Sequence, residues 1–180
     1  NLAEDDYSDL SHFIDQLNNN TTAQFKDSLE KLLNLNAFLR AYAVDIATGH
    51  WDGYGFNKNN YFLYKNTETG KFEFIPYDTD NTFGVDWFNI SWSSRDIYNW
   101  QGTGNLPLIS KVMLQNEYRN RFTFFMNQLV QRMGNTVLSV NRLDSLRTQI
   151  APFVVNDTYH SLDYGFSYTD FYNSFDQAWG

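Results

Sequence analysis

The chain has 180 residues, 42% of them hydrophobic, which is enough to bury the core of one folded domain. Its net charge is −8, and an acidic surface repels a phosphate backbone, so a nucleic-acid partner is not expected. No stretch approaches the roughly 18 apolar residues that cross a bilayer, and the absence of cysteine excludes disulfides and thiolate metal sites.

Residues 1–48 are predicted to form three helices. In the first, apolar residues recur at spacings of three and four, at Tyr7, Leu10, Ile14 and Leu17. The polar run 18–22 interrupts this pattern and offers an N-cap to the second helix. The third helix, from about Ala37 to Ala47, is apolar nearly all round, so we expect it deep in the core, with Gly49 as its stop.

An aromatic β-hairpin is predicted after a loop at residues 50–60 that is rich in Asn, Asp and Gly. Its strands are Tyr61–Lys65 and Lys71–Ile75, and a turn over residues 66–70 joins them, with a glycine at its end. These two short runs are the most regular strand pattern in the sequence.

A long irregular run follows from Gly84 to about Asn105, and a run of that length in a compact domain is usually functional. It contains Trp87, Trp92 and Trp100, which either line a groove, stack on a sugar or pack the loop itself. The sequence leaves these alternatives open.

The rest of the chain is predicted to be helical, at residues 106–113, 116–133 and 136–150, with Thr169 as the cap of a final short helix. The fold class is therefore α+β and mainly helical, with one inserted hairpin. We expect a single domain over residues 1–180.

Aspartates and asparagines cluster in the two loops that flank the hairpin. Asp52 precedes Asn57 and Asn60, while Asp78 and Asp80 follow the second strand. Antiparallel pairing brings the outer ends of the strands together, so Asn60 and Asp78 are expected on the order of 5–10 Å apart. Carboxylate and amide oxygens are the ligands of a Mg²⁺ ion that bridges phosphates. The alternative is that these residues only form turns and caps.

Three runs of this region together resemble the CotH family: Gly49–Tyr54, Lys58–Tyr64 and Ile75–Gly84. The family comprises spore coat protein H-like atypical protein kinases, whose fold resembles that of protein kinases. The similarity extends over roughly residues 30–180. It implies a kinase-like C-terminal lobe in which the hairpin carries a metal site.

The resemblance also implies a role for each site residue. Asp52 resembles the catalytic-loop aspartate that orients or deprotonates the acceptor hydroxyl. Asn60 resembles the metal-binding asparagine, and Asn57 is its rival because it stands five residues after Asp52, as in protein kinases. Asp78 resembles the metal aspartate of the Asp-Phe-Gly motif, and Asp80 is a second ligand or a support for the loop.

No stretch of the chain matches the glycine-rich phosphate cover or the strand lysine of a kinase N-terminal lobe. We therefore expect a C-lobe fragment of a larger protein, with the N-lobe absent and no activity on its own. His50 is expected to position the loop backbone. Arg40 either pairs with a site carboxylate or ties two helices together.

Two functions follow from these observations. The resemblance implies transfer of the γ-phosphoryl group of ATP, with Mg²⁺ or Mn²⁺, to serine or threonine of surface or coat proteins, in a bacterial exported or spore-surface setting. The alternative is a catalytically inactive surface binding or adhesion module that keeps the kinase-like fold. The tryptophan-rich run and the missing N-lobe motifs favour this alternative.

Overall fold

The computed structural model describes residues 6–159 and 165–175 of the chain. Within them the chain forms α1 (Ser8–Asn19), α2 (Thr22–Leu32), α3 (Leu35–Thr48), β1 (Tyr61–Lys65), β2 (Phe72–Pro76), a 3₁₀ turn (Trp92–Ser94), α4 (Pro107–Met113), α5 (Asn116–Met133), α6 (Thr136–Val154) and α7 (Tyr168–Asn173). The fold is mainly helical with one two-stranded sheet, as predicted. None of the helices in the described ranges is long and apolar enough to cross a membrane.

The chain divides into two compact units, Asn1–Leu129 and Val130–Gly180. The first unit contains the hairpin and all of the predicted site residues. In the second unit, α6 continues four residues beyond the predicted end and includes Pro152. The predicted cap of the last helix is wrong, because Ser167 rather than Thr169 is the N-cap of α7 and forms a capping box with Asp170.

The N-cap of α2 and the end of α3 agree with the sequence pattern, whereas α3 begins at Leu35, two residues before its predicted start. Thr21 caps α2, and its side-chain oxygen accepts a hydrogen bond from the backbone of Gln24. Asn34 caps α3 in the same way, and Gly49, with a φ angle of 71°, ends that helix. A positive φ angle is accessible to glycine without the steric cost that a side chain would bring.

The predicted inner face of α1 is partly wrong. Phe13 and Leu17 are the buried residues of this helix, whereas Ile14 is 49% exposed. The Phe13 ring packs on the Phe72 ring of β2, with the ring centroids 5.1 Å apart. A phenylalanine ring buries more apolar surface than isoleucine does at this contact, so the helix turns Phe13 inward.

Helix α3 lies at the centre of the first unit, as predicted. Its Phe38 ring meets Phe74 of β2 edge-on at 5.2 Å, and its Tyr42 ring meets Phe122 of α5 at 5.5 Å. The hairpin and α5 therefore pack on different residues of α3. This packing fixes the loop that leaves the C-terminal end of α3.

The hairpin is antiparallel, with Tyr61 opposite Pro76 and Lys65 opposite Phe72. Its side chains alternate, as strand geometry requires: Phe72 and Phe74 are buried in the core, whereas Phe62 is 60% exposed. Strand β1 has the predicted bounds, and β2 lies one residue further along than predicted.

Candidate functional site

Asp52 lies in the loop after α3, and its carboxylate accepts hydrogen bonds from two asparagine side chains. Asn57 Nδ2 donates to Asp52 Oδ1 at 2.5 Å, and Asn60 Nδ2 donates to Asp52 Oδ2 at 2.9 Å. An ionised carboxylate only accepts hydrogen bonds, so the amide nitrogens face it and the amide oxygens point elsewhere. The hydrogen bonds to Asp52 thus use the amide nitrogens of both asparagines and not their amide oxygens, which are among the ligand types that hard divalent cations take.

The backbone of this loop turns tightly at Gly53. The Gly53 carbonyl accepts hydrogen bonds from the amides of Asn57 and Lys58, both at 3.1 Å. Lys58 and Asn60 then adopt positive φ angles of 62° and 55°, a region that asparagine tolerates better than most residues. This turn directs the Asn60 side chain back to Asp52, where Nδ2 also contacts the backbone carbonyl at 3.2 Å.

The hairpin connects this loop to Asp78. The Asn60 carbonyl accepts a hydrogen bond from Tyr77 N at 3.0 Å, which extends the ladder one pair beyond Tyr61 and Pro76. Asp78 is the next residue, and its side chain is exposed at a φ angle of 50°. Hydrogen bonds therefore link Asp52 to Asn60 and Asn60 to Tyr77, and Asp78 follows Tyr77 directly in the chain.

Asp80 lies in the turn after β2 and contributes to its shape. Asn81 Nδ2 donates to Asp80 Oδ1 at 3.0 Å, and Thr82 N donates to the Asp80 carbonyl at 2.9 Å. In the part of the chain that the structure describes, no three histidine, aspartate or glutamate side chains converge as a metal site. A cation here would need amide oxygens in addition to carboxylates.

The turn with Asp80 is attached to the end of α3 by three hydrogen bonds. The Phe83 amide donates to the Thr48 carbonyl at 2.7 Å. His50 Nδ1 donates to the Asn81 carbonyl at 3.3 Å, and Trp51 Nε1 donates to the Val85 carbonyl at 2.8 Å. The predicted role of His50 in positioning loop backbone is confirmed by its contact with this turn.

Comparison with known proteins identifies the family. The chain matches the family described as CotH kinase protein over residues 1–178. The chain belongs to the CotH family. The resemblance predicted from the loops around the hairpin is thereby confirmed.

Named relatives of the chain include coat and invasin proteins. Inner spore coat protein H of Bacillus subtilis is 29% identical over 89% of this chain and 42% of its own length. Invasin CotH2 of Rhizopus delemar is 26% identical over 77% of this chain and 23% of its own length. Invasin CotH3 of the same organism is 24% identical over 69% of this chain and 22% of its own length. The chain thus spans less than half of each of these CotH relatives.

Asp45 is a buried carboxyl on α3 next to the Asp52 loop of this CotH chain, and no role was predicted for it from the sequence. It is 5% exposed on α3, and burial raises its pKa to about 6, although nearby His50 opposes the shift. A methyl group added to Gly53 would lie 3.2 Å from Asp45 Oδ2 and 3.1 Å from His50 Nε2. The signal was a lone carboxyl in an otherwise apolar stretch of helix.

The raised pKa of Asp45 predicts a pH-dependent stability difference between wild type and Asp45→Asn. The unfolded carboxyl titrates near 3.8 and the folded one near 6, so the folded state binds the proton more tightly. The wild type therefore loses stability relative to the variant as pH rises from about 4 to about 6, by roughly 1–3 kcal/mol. Urea unfolding of both chains at pH 4, 5, 6 and 7 measures this difference, and parallel curves would contradict it.

The tryptophans of the irregular segment take two different roles. Trp92 and Trp100 are 6% and 2% exposed, so they pack the loop, whereas Trp87 is 64% exposed. The buried pair surrounds Arg95, which donates to the Trp100 carbonyl at 2.7 Å and stacks on Phe56 of the Asp52 loop at 5.1 Å. Packing is confirmed for Trp92 and Trp100.

Asp86 organises the start of this segment. Its carboxylate accepts hydrogen bonds from Phe88 N at 3.0 Å, Ile90 N at 2.9 Å and Trp92 Nε1 at 2.8 Å. Desolvation opposes ionisation, but these hydrogen bonds outweigh it and lower the pKa of Asp86. Asp86 therefore shapes the loop, and its carboxylate is occupied by these three hydrogen bonds.

Arg40 ties two helices together, which was one of its two predicted roles. Its guanidinium lies over the Phe125 ring, 5.0 Å from the centroid, and so links α3 to α5.

A cleft of about 740 Å³ adjoins the site between α1 and β1. Its lining is mixed: aromatic rings come from Tyr61, Phe62 and Tyr77, the basic residues are Lys58 and Lys65, and the acidic residues are Asp6 and Asp9. Asn60 also borders it. The cleft therefore combines flat apolar surfaces with charged groups of both signs and a candidate metal ligand.

Proposed function

We propose that the chain forms the metal-binding part of a CotH-type kinase that transfers the γ-phosphoryl group of ATP to a protein serine or threonine. The observation that carries this proposal is the Asp52 carboxylate held by the amides of Asn57 and Asn60. Asn57 follows Asp52 by five residues, which is the spacing between the aspartate and the asparagine of the protein-kinase catalytic loop. The backbone hydrogen bond from Tyr77 to Asn60 brings Asp78 into the same neighbourhood.

Asp52 is the proposed base or orienting group for the acceptor. Each of its oxygens accepts one amide hydrogen bond and retains capacity for another. In the reaction, the acceptor oxygen bonds to the γ-phosphorus while the bond from that phosphorus to the β–γ bridging oxygen breaks, and ADP leaves. The hydroxyl proton passes to Asp52. The two asparagines fix the carboxylate against rotation.

The donor set fits Mg²⁺ or Mn²⁺, because both ions prefer oxygen ligands. The proposed ligands are the Asp78 carboxylate and the amide oxygen of Asn60 or Asn57, with Asp80 as a further ligand or a support. When bound, the cation neutralises negative charge on the β- and γ-phosphates. Asn60 is 6% exposed and contacts Asp52 twice, so its amide is the more firmly fixed of the two.

The cleft beside Asn60 supports nucleotide binding. Phe62 and Tyr77 stack on each other with ring centroids 4.7 Å apart, and since both are exposed, an outer ring face remains to stack on a planar base. Lys58 offers a positive charge for phosphate. ATP is therefore the proposed second substrate.

The proposed acceptors are surface or coat proteins, and the proposed location is an exported, cell-surface or spore-surface one. The relative named as an inner spore coat protein supports a bacterial coat setting. The relatives named as invasins support a surface location.

A second candidate is a surface binding module without catalysis. Two exposed aromatic residues that both pack on Trp51 favour it, Trp87 at 64% and Phe88 at 49%. Large exposed apolar side chains that lie together are typical of interaction sites. Stabilisation by nucleotide plus metal separates the candidates, since the kinase should show it and the binding module should not.

Incorporation of phosphate from γ-labelled ATP by the full-length parent, with Mg²⁺ or Mn²⁺, tests the proposal. Asp78→Ala is expected to lower incorporation roughly 100-fold or more. Loss of a residue that only orients a metal ligand already costs about 10–100-fold, and Asp78 is itself a proposed ligand. Asp27→Ala, at an exposed position on α2, is the control and should match wild type. Failure of folded wild type to incorporate phosphate would reject the kinase and favour the binding module.

A further inference from the structure

The two edges of the β1–β2 hairpin differ in what covers them. Phe72, at the start of β2, is bridged by Leu33, and its carbonyl accepts a hydrogen bond from Asn34 N at 2.9 Å. The outer edge of β2 therefore begins under the segment between α2 and α3. Strand β1 pairs only with β2 in this two-stranded sheet, so no further strand of the described residues covers its outer edge.

The register of the hairpin shows which backbone groups of β1 point to that outer edge. Tyr77 N donates to the Asn60 carbonyl at one end of the ladder, and Asn66 N donates to the Lys71 carbonyl at the other. The even-numbered residues from 60 to 66 thus form the hydrogen-bonded pairs, because such pairs alternate along an antiparallel ladder. The odd-numbered residues point their N–H and C=O groups away from β2, and they are Tyr61, Leu63 and Lys65. These outward groups have no hydrogen-bond partner among residues 6–159 and 165–175.

The cleft of about 740 Å³ lies beside this row of backbone groups. Every residue from Lys58 to Leu63 lines it, together with Lys65. The opposite wall comes from α1 and the residues before it, and it offers Tyr7 and Leu10. A row of unpartnered donors and acceptors on an edge strand is a template for pairing with another chain. The cleft gives such a chain access to the row.

One end of this edge lies at the candidate site. Asn60 directly precedes β1 and borders the cleft, and its side-chain amide donates to the Asp52 carboxylate. At about 3.3 Å per residue, β1 extends roughly 17 Å away from that point. At the far end, Lys65 and Asp9 form an ion pair across the cleft at 3.6 Å. A strand paired with β1 would therefore direct one of its ends toward Asp52.

The edge is a different surface from the sheet face proposed to hold the nucleotide base. Side chains of a strand project above and below the sheet, whereas its hydrogen-bonding groups lie in the plane of the sheet. Phe62, which stacks on Tyr77, is 60% exposed on that face. The outward backbone groups of Leu63 point along the plane instead. A base and an added strand would therefore occupy separate surfaces.

We propose that the acceptor protein binds as a third strand on the outer edge of β1, with its backbone paired to Tyr61, Leu63 and Lys65 and its hydroxyl placed beyond Asn60, at Asp52. The identification of the occupant as an acceptor rests on the proposed function. The pairing of an extended segment with this edge rests on the geometry of the hairpin. Strand addition draws its affinity from main-chain hydrogen bonds. Acceptors should therefore share an extended run of about five residues on one side of the hydroxyl, without proline.

Hydrogen exchange of the full-length parent, read residue by residue, tests the pairing. The probes are two peptides that carry one serine at either end of the run Val-Thr-Val-Thr-Val, because β-branched residues favour strands. In the protein without peptide, the amides of Tyr61, Leu63 and Lys65 should exchange fast. Bound peptide should slow them at least about 10-fold. The amides of Phe62 and Tyr64, which face β2, should keep their rates.

Methylation of single amide nitrogens in the peptide gives an independent measurement. A paired strand turns alternate N–H groups toward its neighbour. Methyl groups at alternate positions should therefore weaken binding about 10-fold, and methyl groups at the positions between should leave the Kd unchanged. Fluorescence anisotropy of labelled peptide measures the Kd. A peptide held by its side chains alone would not show this period of two.

Leu63→Pro and Leu63→Ala are a matched pair of variants. Both remove most of a partly buried side chain, but only proline also removes the outward N–H, and an edge strand tolerates proline where the N–H faces away from the ladder. In peptide phosphorylation, Leu63→Pro should raise the KM for the peptide about 10-fold above that of Leu63→Ala, with the KM for ATP equal in the two. If Leu63→Pro fails to fold, Lys65→Pro and Lys65→Ala make the same comparison at the end of the edge.

The outcomes separate this inference from the proposed function. Protection of the odd-numbered amides without peptide would assign the edge to the parent's own chain, or to a second copy if protection rises with protein concentration, and would overturn the proposal. Peptide binding that leaves these amides fast, or no binding of either peptide to folded wild type, would also overturn it. A peptide that slows these amides but accepts no phosphate would overturn the proposed function and the identification of the occupant as an acceptor, while supporting the pairing.

Discussion

Replacing Asp52 by Asn in the full-length parent is expected to lower phosphate incorporation about 10²- to 10⁴-fold, the range for loss of a catalytic base. The substitution keeps the shape of the side chain but removes its charge. One of the amides of Asn57 and Asn60 then faces a nitrogen instead of an oxygen. Initial rates at saturating ATP and acceptor measure the effect.

The matched control for Asp52→Asn is Asp27→Asn, which makes the same chemical change on the exposed face of α2. It should leave the rate unchanged. Mn²⁺ binding should persist in Asp52→Asn, because Asp78 and an amide oxygen remain as the proposed ligands. A folded Asp52→Asn protein with wild-type activity would remove Asp52 from the catalytic role.

Replacing Phe122 by Ala is expected to lower the free energy of unfolding by about 3–5 kcal/mol, the usual cost of removing a buried ring. Phe122 is 0% exposed on α5. Its ring packs against Tyr42 at 5.5 Å and Tyr98 at 5.9 Å. The cavity would therefore open between α5, α3 and the irregular segment. Urea unfolding monitored by tryptophan fluorescence measures the loss.

Phe124→Ala tests the same chemical change two residues further along α5. Phe124 is 56% exposed, so its loss should cost less than about 1 kcal/mol. Similar losses for the two variants would mean that α5 does not present Phe122 to the core.

Elements defined by local pattern could be predicted from the sequence. The aromatic alternation of Tyr61–Lys65 gave β1 its observed bounds, and Gly49 ended α3 because its positive φ angle favours glycine. The inner face of α1 was predicted wrongly because it depends on a contact between distant parts of the chain. Spacing alone allowed Ile14 to point inward, but Phe13 is the residue that packs on the Phe72 ring of the hairpin.

The candidate site could also be predicted only in part. Strand pairing predicted the neighbourhood of Asn60 and Asp78, and the resemblance to the CotH family supplied roles that spacing alone could not. The contribution of Asp45 and Gly53 could not be predicted, because it depends on how closely the loop approaches α3. No local pattern encodes the distance between two segments that pack face to face.

The attachment of the Asp78–Val85 turn to the end of α3 also bears on the order of folding. His50 and Asn81 are 31 residues apart along the chain, and Trp51 and Val85 are 34 apart. The entropy lost in closing a loop grows slowly with its length, and low contact order speeds folding. The hairpin β1–β2 lies between these residues, and its formation brings the loop before β1 close to the turn after β2. The site is therefore expected to assemble early, before α4 and the first turns of α5 have packed in the first unit.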